Sequence, residues 1–357
     1  MKRIAVKIGS NVLTRKDGTL DITRMSALVD QVAELHHAGM EIVLISSGAV
    51  ASGRSEVKVG KKLDSVSARQ LYSAVGQAKL INRYYELFRE HGLKCGQVLT
   101  TKENFGSRTH YLNQKHCMEV MLEHGVIPIV NENDTISVTE LMFTDNDELS
   151  GLIATMMGMD ALIILSNIDG IYNGNPADPA SRVIPVVERG KTDLASYVQT
   201  GRSSFGRGGM LTKCHSAQKV ADEGILVVIA NGKRSNILVD LLKDPETIPC
   251  TRFLPAVKPV SSVKKWIAHS EGFAKGEIHI NKGAEEALLA PKATSLLLVG
   301  VTQVVGDFEK DDIVRIVNEE GKLLGVGCAG YGSEEARALI GSRDLKPLVH
   351  YDYLYID

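Results

Sequence analysis

Along the first half of the chain, short apolar runs alternate with longer stretches in which apolar residues recur every three or four positions. IAVKI over 4–8 is the first run, and Gly9 ends it. Residues 23–38 place Met25, Leu28, Val29, Val32 and Leu35 on one helical face, with Gly39 where a C-cap glycine belongs. EIVLI over 41–45 predicts a second strand, followed by Ser46-Ser47-Gly48 and a run of small residues. The same reading predicts helices over 67–91, 111–124, 148–158 and 212–223, and strands over 95–101, 126–134, 161–166 and 225–230. Five or more apolar strands separated by helices imply a mostly parallel sheet covered on both faces.

In such sheets ligands bind beyond the carboxyl ends of the strands. The residues there are Lys7-Ile8-Gly9-Ser10, Ser46-Ser47-Gly48, Asn131-Glu132-Asn133-Asp134 and Ser166-Asn167, all rich in small, polar or charged side chains.

The texture changes over 249–263, where Pro249, Pro255 and Pro259 fall in a stretch without helical period. This predicts a linker and a division into 1–252, a linker over 253–273, and 274–357. The second domain is expected to be small and mostly β, with strands over 277–280, 295–302, 312–318 and 322–328. Glu319-Glu320-Gly321 supplies a hairpin turn, a helix follows over 333–341, and VHYDYLYI forms a last strand.

Composition narrows the class. The chain has 357 residues, long enough for two domains, and 44% hydrophobic with 24% charged residues is a packed protein's composition. Its 41 Lys plus Arg against 43 Asp plus Glu removes the simple electrostatic case for nucleic acid. The second domain sharpens this: residues 264–357 hold 11 Lys plus Arg against 15 Asp plus Glu, poorly suited to a phosphate backbone. No apolar run approaches the ~18 residues of a membrane span, and Lys7 and Gly9 interrupt the start too early for a signal peptide. Five scattered cysteines read as reduced thiols, so a cytoplasmic location is expected.

No G-x-x-x-x-G-K-[ST] occurs, and the literal G-x-G-x-x-G at Gly325, Gly327 and Gly330 lies on a hairpin arm, where strand and turn glycines are the expectation. More informative is Gly206-Arg207-Gly208-Gly209-Met210-Leu211-Thr212-Lys213. Glycines before a helix N-terminus that carries a lysine make a phosphate site, although a surface loop can also be glycine-rich. Lys7 tips the balance, because a lysine at the end of a central strand calls for an anion. Opposite stand Asp134 and Asp145-Asn146-Asp147, which could orient lysines, hold an ammonium group or cap a helix; Asp145 is a possible metal ligand.

The segments Lys7–Leu13, Ser46–Arg54, Asn131–Asp134, Thr144–Leu149 and Gly208–Lys213 together resemble the motif set of glutamate 5-kinases, in the amino-acid kinase family. The resemblance implies an αβα sandwich, a C-terminal PUA-like pseudo-barrel, and phosphoryl transfer from ATP to L-glutamate with Mg²⁺. It implies that Lys7, Lys213 and Asp147 are catalytic, and that Ser47, Gly48, Asp134 and Asn146 hold glutamate. For ATP it implies Lys7, Gly9, Ser166, Asn167, Arg207, Gly208, Gly209, Met210, Leu211, Thr212 and Lys213. It further implies feedback inhibition by proline and assembly as a dimer or tetramer. Ser166-Asn167 departs from the family's Thr-Asp, and Arg207 stands where a Thr is usual. Rival readings keep the fold and change the acceptor to carbamate, a phosphate monoester or an N-acetylamino acid, or make the tail an RNA-binding module.

Overall fold

The computed structural model describes the chain except for residues 61–62, 107, 138–145, 189–209, 257–266, 268–270, 291–293, 344 and 357. Its contacts divide into two compact units, Met1–Lys102 with Gln114–Pro259, and Glu103–Asn113 with Val260–Asp357.

In chain order the first unit carries β1 (Arg3–Ile8), the short turn α1 (Ser10–Leu13), α2 (Ile22–His37), β2 (Glu41–Ser46), α3 (Ala49–Glu56), α4 (Ser65–Glu90) and β3 (Lys94–Thr100). After α5 (Lys102–Gly106) and α6 (Arg108–Glu123), of which Glu103–Asn113 belongs to the second unit, come β4 (Val126–Glu132), α7 (Asn146–Met157), β5 (Ala161–Ser166) and β6 (Val186–Val187). Then follow α8 (Met210–Asp222), β7 (Leu226–Asn231), α9 (Ile237–Lys243) and β8 (Cys250–Phe253). The eight strands form one sheet in the order β3-β4-β2-β1-β5-β7-β8-β6, parallel throughout except where β8 runs antiparallel to β7.

The mostly parallel sheet expected from the apolar runs is therefore present, and β1 lies at its centre. Alternation along β1 sorts its residues. Ile4, Val6 and Ile8 join a core with Met25, Leu28 and Val32 of α2 and with Leu80, Tyr84 and Phe88 of α4. Ala5 and Lys7 have the opposite parity, and Lys7 meets a side chain of α7. That helix is buried nearly all round, from Asp147 and Leu149 to Met157, as a helix sunk against a central sheet must be.

The small residues after β2 form α3, which the hydrophobic pattern alone does not reveal. Gly48 precedes it with φ +106°, a conformation that a side chain disfavours. Gly53 of α3 and Gly76 of α4 let the two helices touch backbone to backbone: a Cβ on Gly76 would lie 1.8 Å from the Ala49 carbonyl oxygen. We expect Gly76→Ala to destabilise the protein by at least ~3 kcal/mol, the upper end for overpacking. A urea midpoint equal to wild type would show that the helices separate without cost.

Residues 250–253, within the proline-bearing stretch over 249–263, form β8 near the end of the first unit's sheet. Their prolines, Pro249 and Pro255, flank the strand and so cost it no ladder hydrogen bond.

The second unit is built on β9 (Gly276–Ile280), α10 (Lys282–Leu289), β10 (Val301–Gly306), β11 (Ile313–Val317), β12 (Leu323–Cys328), α11 (Ser333–Ala338) and β13 (Leu354–Ile356). Its sheet order is β10-β9-β11-β12-β13, around a core that includes Ile278, Leu298, Val314, Ile316 and Leu348. Gly321, at φ +80°, closes the β11–β12 hairpin as expected. The run over 295–302 is not one strand. Leu296 and Leu298 are buried while Leu297 and Val299 are exposed, which imitates a strand, but Leu298–Gly300 is a 3-10 turn. The last strand likewise shrinks to Leu354–Ile356, behind a 3-10 turn at Tyr351–Tyr353. Gly325 and Gly327 lie within β12, and a Cβ on Gly325 would stand 2.1 Å from the Tyr355 carbonyl oxygen. These glycines serve strand packing.

Candidate active site

The carboxyl ends of β1, β2, β4 and β5 bring together most of the residues singled out above. Backbone hydrogen bonds hold these ends in place: Ser47 N–H donates to Ile8 at 3.2 Å, and Gly9 N–H donates to Leu165 at 3.1 Å. A Cβ on Gly9 would sit 3.1 Å from that Leu165 oxygen and 3.7 Å from Lys7 Nζ, so the turn leaves space beside the lysine.

Lys7 is only 7% exposed, at the end of an apolar strand. A buried ammonium without a partner costs several kcal/mol, and the fold supplies the counter-charge from α7. Asp147, in the first turn of that helix, places Oδ1 2.6 Å from Lys7 Nζ. Its Oδ2 accepts from Lys213 Nζ, which α8 presents from its own first turn. One carboxylate thus holds two lysines from two elements far apart in sequence. Burial alone would push the Asp147 carboxyl up, but the Lys7 and Lys213 ammonium groups outweigh it and hold it at about 2.

The packing behind this trio is close. A Cβ on Gly151 of α7 would approach Val220 of α8 to 2.8 Å, and Thr155 of α7 donates to Glu223 at 2.6 Å. The separation of α7 and α8, and with it the Lys213–Asp147 contact, is set by these neighbours.

A second cluster lies at the ends of β2 and β4. Asn146 Nδ2 donates to Ser47 Oγ at 2.7 Å and reaches Asn131 Oδ1 at 3.4 Å. Asn131 in turn donates to Gln77 of α4 at 2.9 Å. Beneath Ser47, the buried Ser46 hydroxyl pairs with Tyr84 OH at 2.8 Å, and burial pushes that phenol well above its ordinary range. Asp134 is buried in the loop after β4 and accepts from Arg69 Nε at 2.6 Å. The same guanidinium meets Glu132 Oε2 at 2.9 Å through Nη2.

On the other side of β1, Ser166 and Asn167 end β5, with Ser166 in register with Asn231 of β7. Asp169 ties these ends together, accepting from Asn231 at 3.1 Å and from Arg234 Nε at 2.8 Å. The Arg234 hydrogen bond is the main reason its carboxyl sits below the usual range.

The structure therefore brings together Lys7, Gly9, Asp147 and Lys213, and beside them Ser47, Gly48 and Asn146, while Asp134 lies in the loop after β4 against Arg69. Thr212 lies with Lys213 in the first turn of α8, which begins at Met210 and Leu211. Asp145, Arg207, Gly208 and Gly209 lie outside the described residues. Sequence reasoning passed over Arg69, Gln77 and Asp169. A signal for the first two exists: Arg69, Ser73 and Gln77 recur every four residues along α4, on the stripe that continues as Leu80 and Tyr84.

Among the described residues, no group of three or more His, Cys, Asp or Glu side chains could hold a metal ion, and no helix is long and apolar enough to cross a membrane. The chemistry the site offers is electrostatic: two cations, Lys7 buried and Lys213 half-buried, fixed on one buried anion at a sheet edge lined with small residues.

Comparison with known proteins identifies the family. Residues 2–231 match the amino acid kinase family and residues 276–348 match the PUA domain. A glutamate 5-kinase of Bacteroides thetaiotaomicron is 72% identical over 99% of this chain and 98% of its own length. A second, from Chlorobaculum tepidum, is 46% identical over 99% of this chain and 97% of its own. Among solved structures, the carbamate kinase from Giardia lamblia bound to AMP-PNP shares the fold, with a TM-score of 0.51 at 16% identity over 71% of this chain and 99% of that one. The chain belongs to the amino acid kinase family and, by its identity over nearly the full length, to the glutamate 5-kinases within it.

Proposed function

We propose that the chain transfers the γ-phosphoryl group of ATP to the γ-carboxylate of L-glutamate, giving L-glutamyl 5-phosphate and ADP in proline biosynthesis. A glutamate carboxylate oxygen attacks the γ-phosphorus, and the bond to the β,γ-bridging oxygen breaks with its electron pair leaving on ADP. The observation that carries this reading is the Lys7–Asp147–Lys213 trio beside the Ser47–Asn146 pair.

The acceptor needs no general base. A free Glu-type carboxyl titrates near 4.3, so the nucleophile is already ionised at neutral pH. Catalysis then rests on alignment and on charge neutralisation, the two things a pair of fixed lysines supplies. Lys7 at the end of β1 meets the transferred phosphoryl group, and Lys213 meets the ATP phosphates. Asp147 holds both at a fixed separation. An ammonium carries three N–H donors, so a lysine held by one carboxylate oxygen can also meet phosphate oxygens. Gly9, Ser166, Asn167 and residues 207–213 form the ATP side.

Ser47, Gly48, Asn146 and Asp134 form the glutamate side, with Asp134 taking the α-ammonium group. Asp134→Ala is accordingly expected to raise KM for glutamate at least ~10-fold, as for loss of a charge-assisted hydrogen bond, with a smaller change for ATP. Equal shifts in initial-rate assays would count against this role.

An ATP-dependent kinase takes its divalent cation with ATP, and here we propose Mg²⁺. A lysine-rich phosphate edge fits a cation that arrives on phosphate oxygens and keeps several waters. When bound it shields phosphate charge; Asp145 is the side chain the sequence puts forward as its protein ligand. Family membership also supports inhibition by proline, assembly as a dimer or tetramer, and a cytoplasmic location.

The reading is tested by ADP formation with L-glutamate, N-acetylglutamate and carbamate as rival acceptors. Turnover with glutamate at least ~100-fold above the others is expected, the size of effect a site built to pair a substrate's polar group produces. Preference for either rival would replace the acceptor and keep the fold.

A further inference from the structure

The end of β4 and the loop after it bury two carboxylates, Glu132 and Asp134, at 5% and 7% exposure. Carboxylates taken this far from water need hydrogen-bonded counter-charge. The guanidinium of Arg69, on α4, meets both: Nε reaches Asp134 Oδ1 at 2.6 Å, and Nη2 reaches Glu132 Oε2 at 2.9 Å and also contacts Asp134. Glu132 is the last residue of β4, whereas Asp134 belongs to the loop beyond it. Arg69 thus ties the loop to the end of the strand. One residue on, the Gln70 side-chain amide Nε2 donates to the Thr135 carbonyl at 2.8 Å, a second tie between α4 and the loop.

From this geometry we propose that Arg69 is a positioning residue for glutamate binding, acting through Asp134. The proposal rests on the reading that Asp134 receives the substrate ammonium. Two consequences follow from the forked contact. The guanidinium plane fixes the orientation of the Asp134 carboxylate before substrate arrives, so that little ordering is left to occur on binding. It also offsets the charge of Glu132, so the three side chains together carry one net negative charge, matched to one ammonium. Lysine at this position would keep the charge but lose the planar fork.

The test is initial-rate kinetics on Arg69→Met, Arg69→Lys, Asp134→Asn and the double variant Arg69→Met/Glu132→Gln, each checked for folding by its thermal transition. Arg69→Met is expected to raise KM for glutamate at least tenfold, with kcat and KM for ATP changed less than threefold. Arg69→Lys should recover part of the loss. The double variant restores the charge balance without the fork, so its KM should fall between those of Arg69→Met and wild type. A glutamate KM in Arg69→Met within twofold of wild type overturns the proposal, as does an equal rise in both KM values. Should Arg69→Met fail to fold, Arg69→Lys decides on the same criteria, with a threefold rise in glutamate KM as the threshold. Asp134→Asn separates the two readings: an unchanged glutamate KM there overturns the ammonium role itself, whereas a raised one beside a silent Arg69 variant overturns only the positioning role.

Discussion

Replacing Lys7 with alanine is expected to lower kcat by ~10²-fold or more, the loss seen when one electrostatic donor is removed from a preorganised site. Three observations set this expectation. Lys7 is buried at the end of the central strand, its ammonium is fixed 2.6 Å from Asp147, and Gly9 beside it adds no side chain of its own. A cation so placed acts on the phosphoryl group, whose non-bridging oxygens are already charged in ATP, by holding it in line and offsetting the charge that shifts toward the leaving oxygen of ADP during transfer. KM for glutamate should therefore move far less than kcat. Near-normal turnover in steady-state assays would remove Lys7 from the mechanism.

Asp147→Asn is expected to act on both activity and folding. The asparagine keeps the size of the side chain but leaves two ammonium groups without their anion, and breaking a buried ionic cluster this way costs ~3–5 kcal/mol. With the lysines no longer fixed, kcat should fall by ~10²-fold or more as well. The pH dependence gives a separate check. The folded-state pKa of about 2 lies below the ordinary 3.8, so the unfolded chain takes up the proton first as pH falls. The contribution of Asp147 is full above pH 4 and fades toward pH 2, amounting to ~2 kcal/mol across that window. Wild type should therefore lose more stability than Asp147→Asn between pH 4 and pH 2, measured by denaturant unfolding. Parallel curves would mean that the lysines do not depress this carboxyl.

Much of this architecture was legible in the residues themselves. The apolar runs of β1, β2, β4, β5 and β7 stand in the sequence because strands buried on both faces need unbroken apolar stretches. The polar residues that end those runs marked the site, since a parallel sheet gathers its strand ends along one edge. What escaped was structure made by other means. Helix α3 has too many small residues for a hydrophobic stripe, and it exists because Gly53 and Gly76 let it lie on α4. Strand β8 hid between two prolines. The run over 295–302 alternates buried and exposed residues like a strand and yet turns at Leu298–Gly300.

The site shows the same division. Lys7, Asp147 and Lys213 could be proposed from type and position, but their convergence depends on the packing of α7 against α8, which no local pattern encodes. Arg69 was invisible for a related reason. It lies sixty-five residues before Asp134, and only the fold brings them together.

The central claim is that this edge of the sheet transfers a phosphoryl group to the side-chain carboxylate of glutamate. An acyl phosphate product is attacked by hydroxylamine at its carbonyl carbon, giving a hydroxamate and releasing inorganic phosphate as the leaving group; the hydroxamate is read by its iron complex. With ATP, Mg²⁺, L-glutamate and hydroxylamine, the account predicts one γ-glutamyl hydroxamate formed for each ADP released, and at least ~10²-fold slower formation by Lys7→Ala. ADP release without hydroxamate, or hydroxamate formed equally fast by Lys7→Ala, would contradict it.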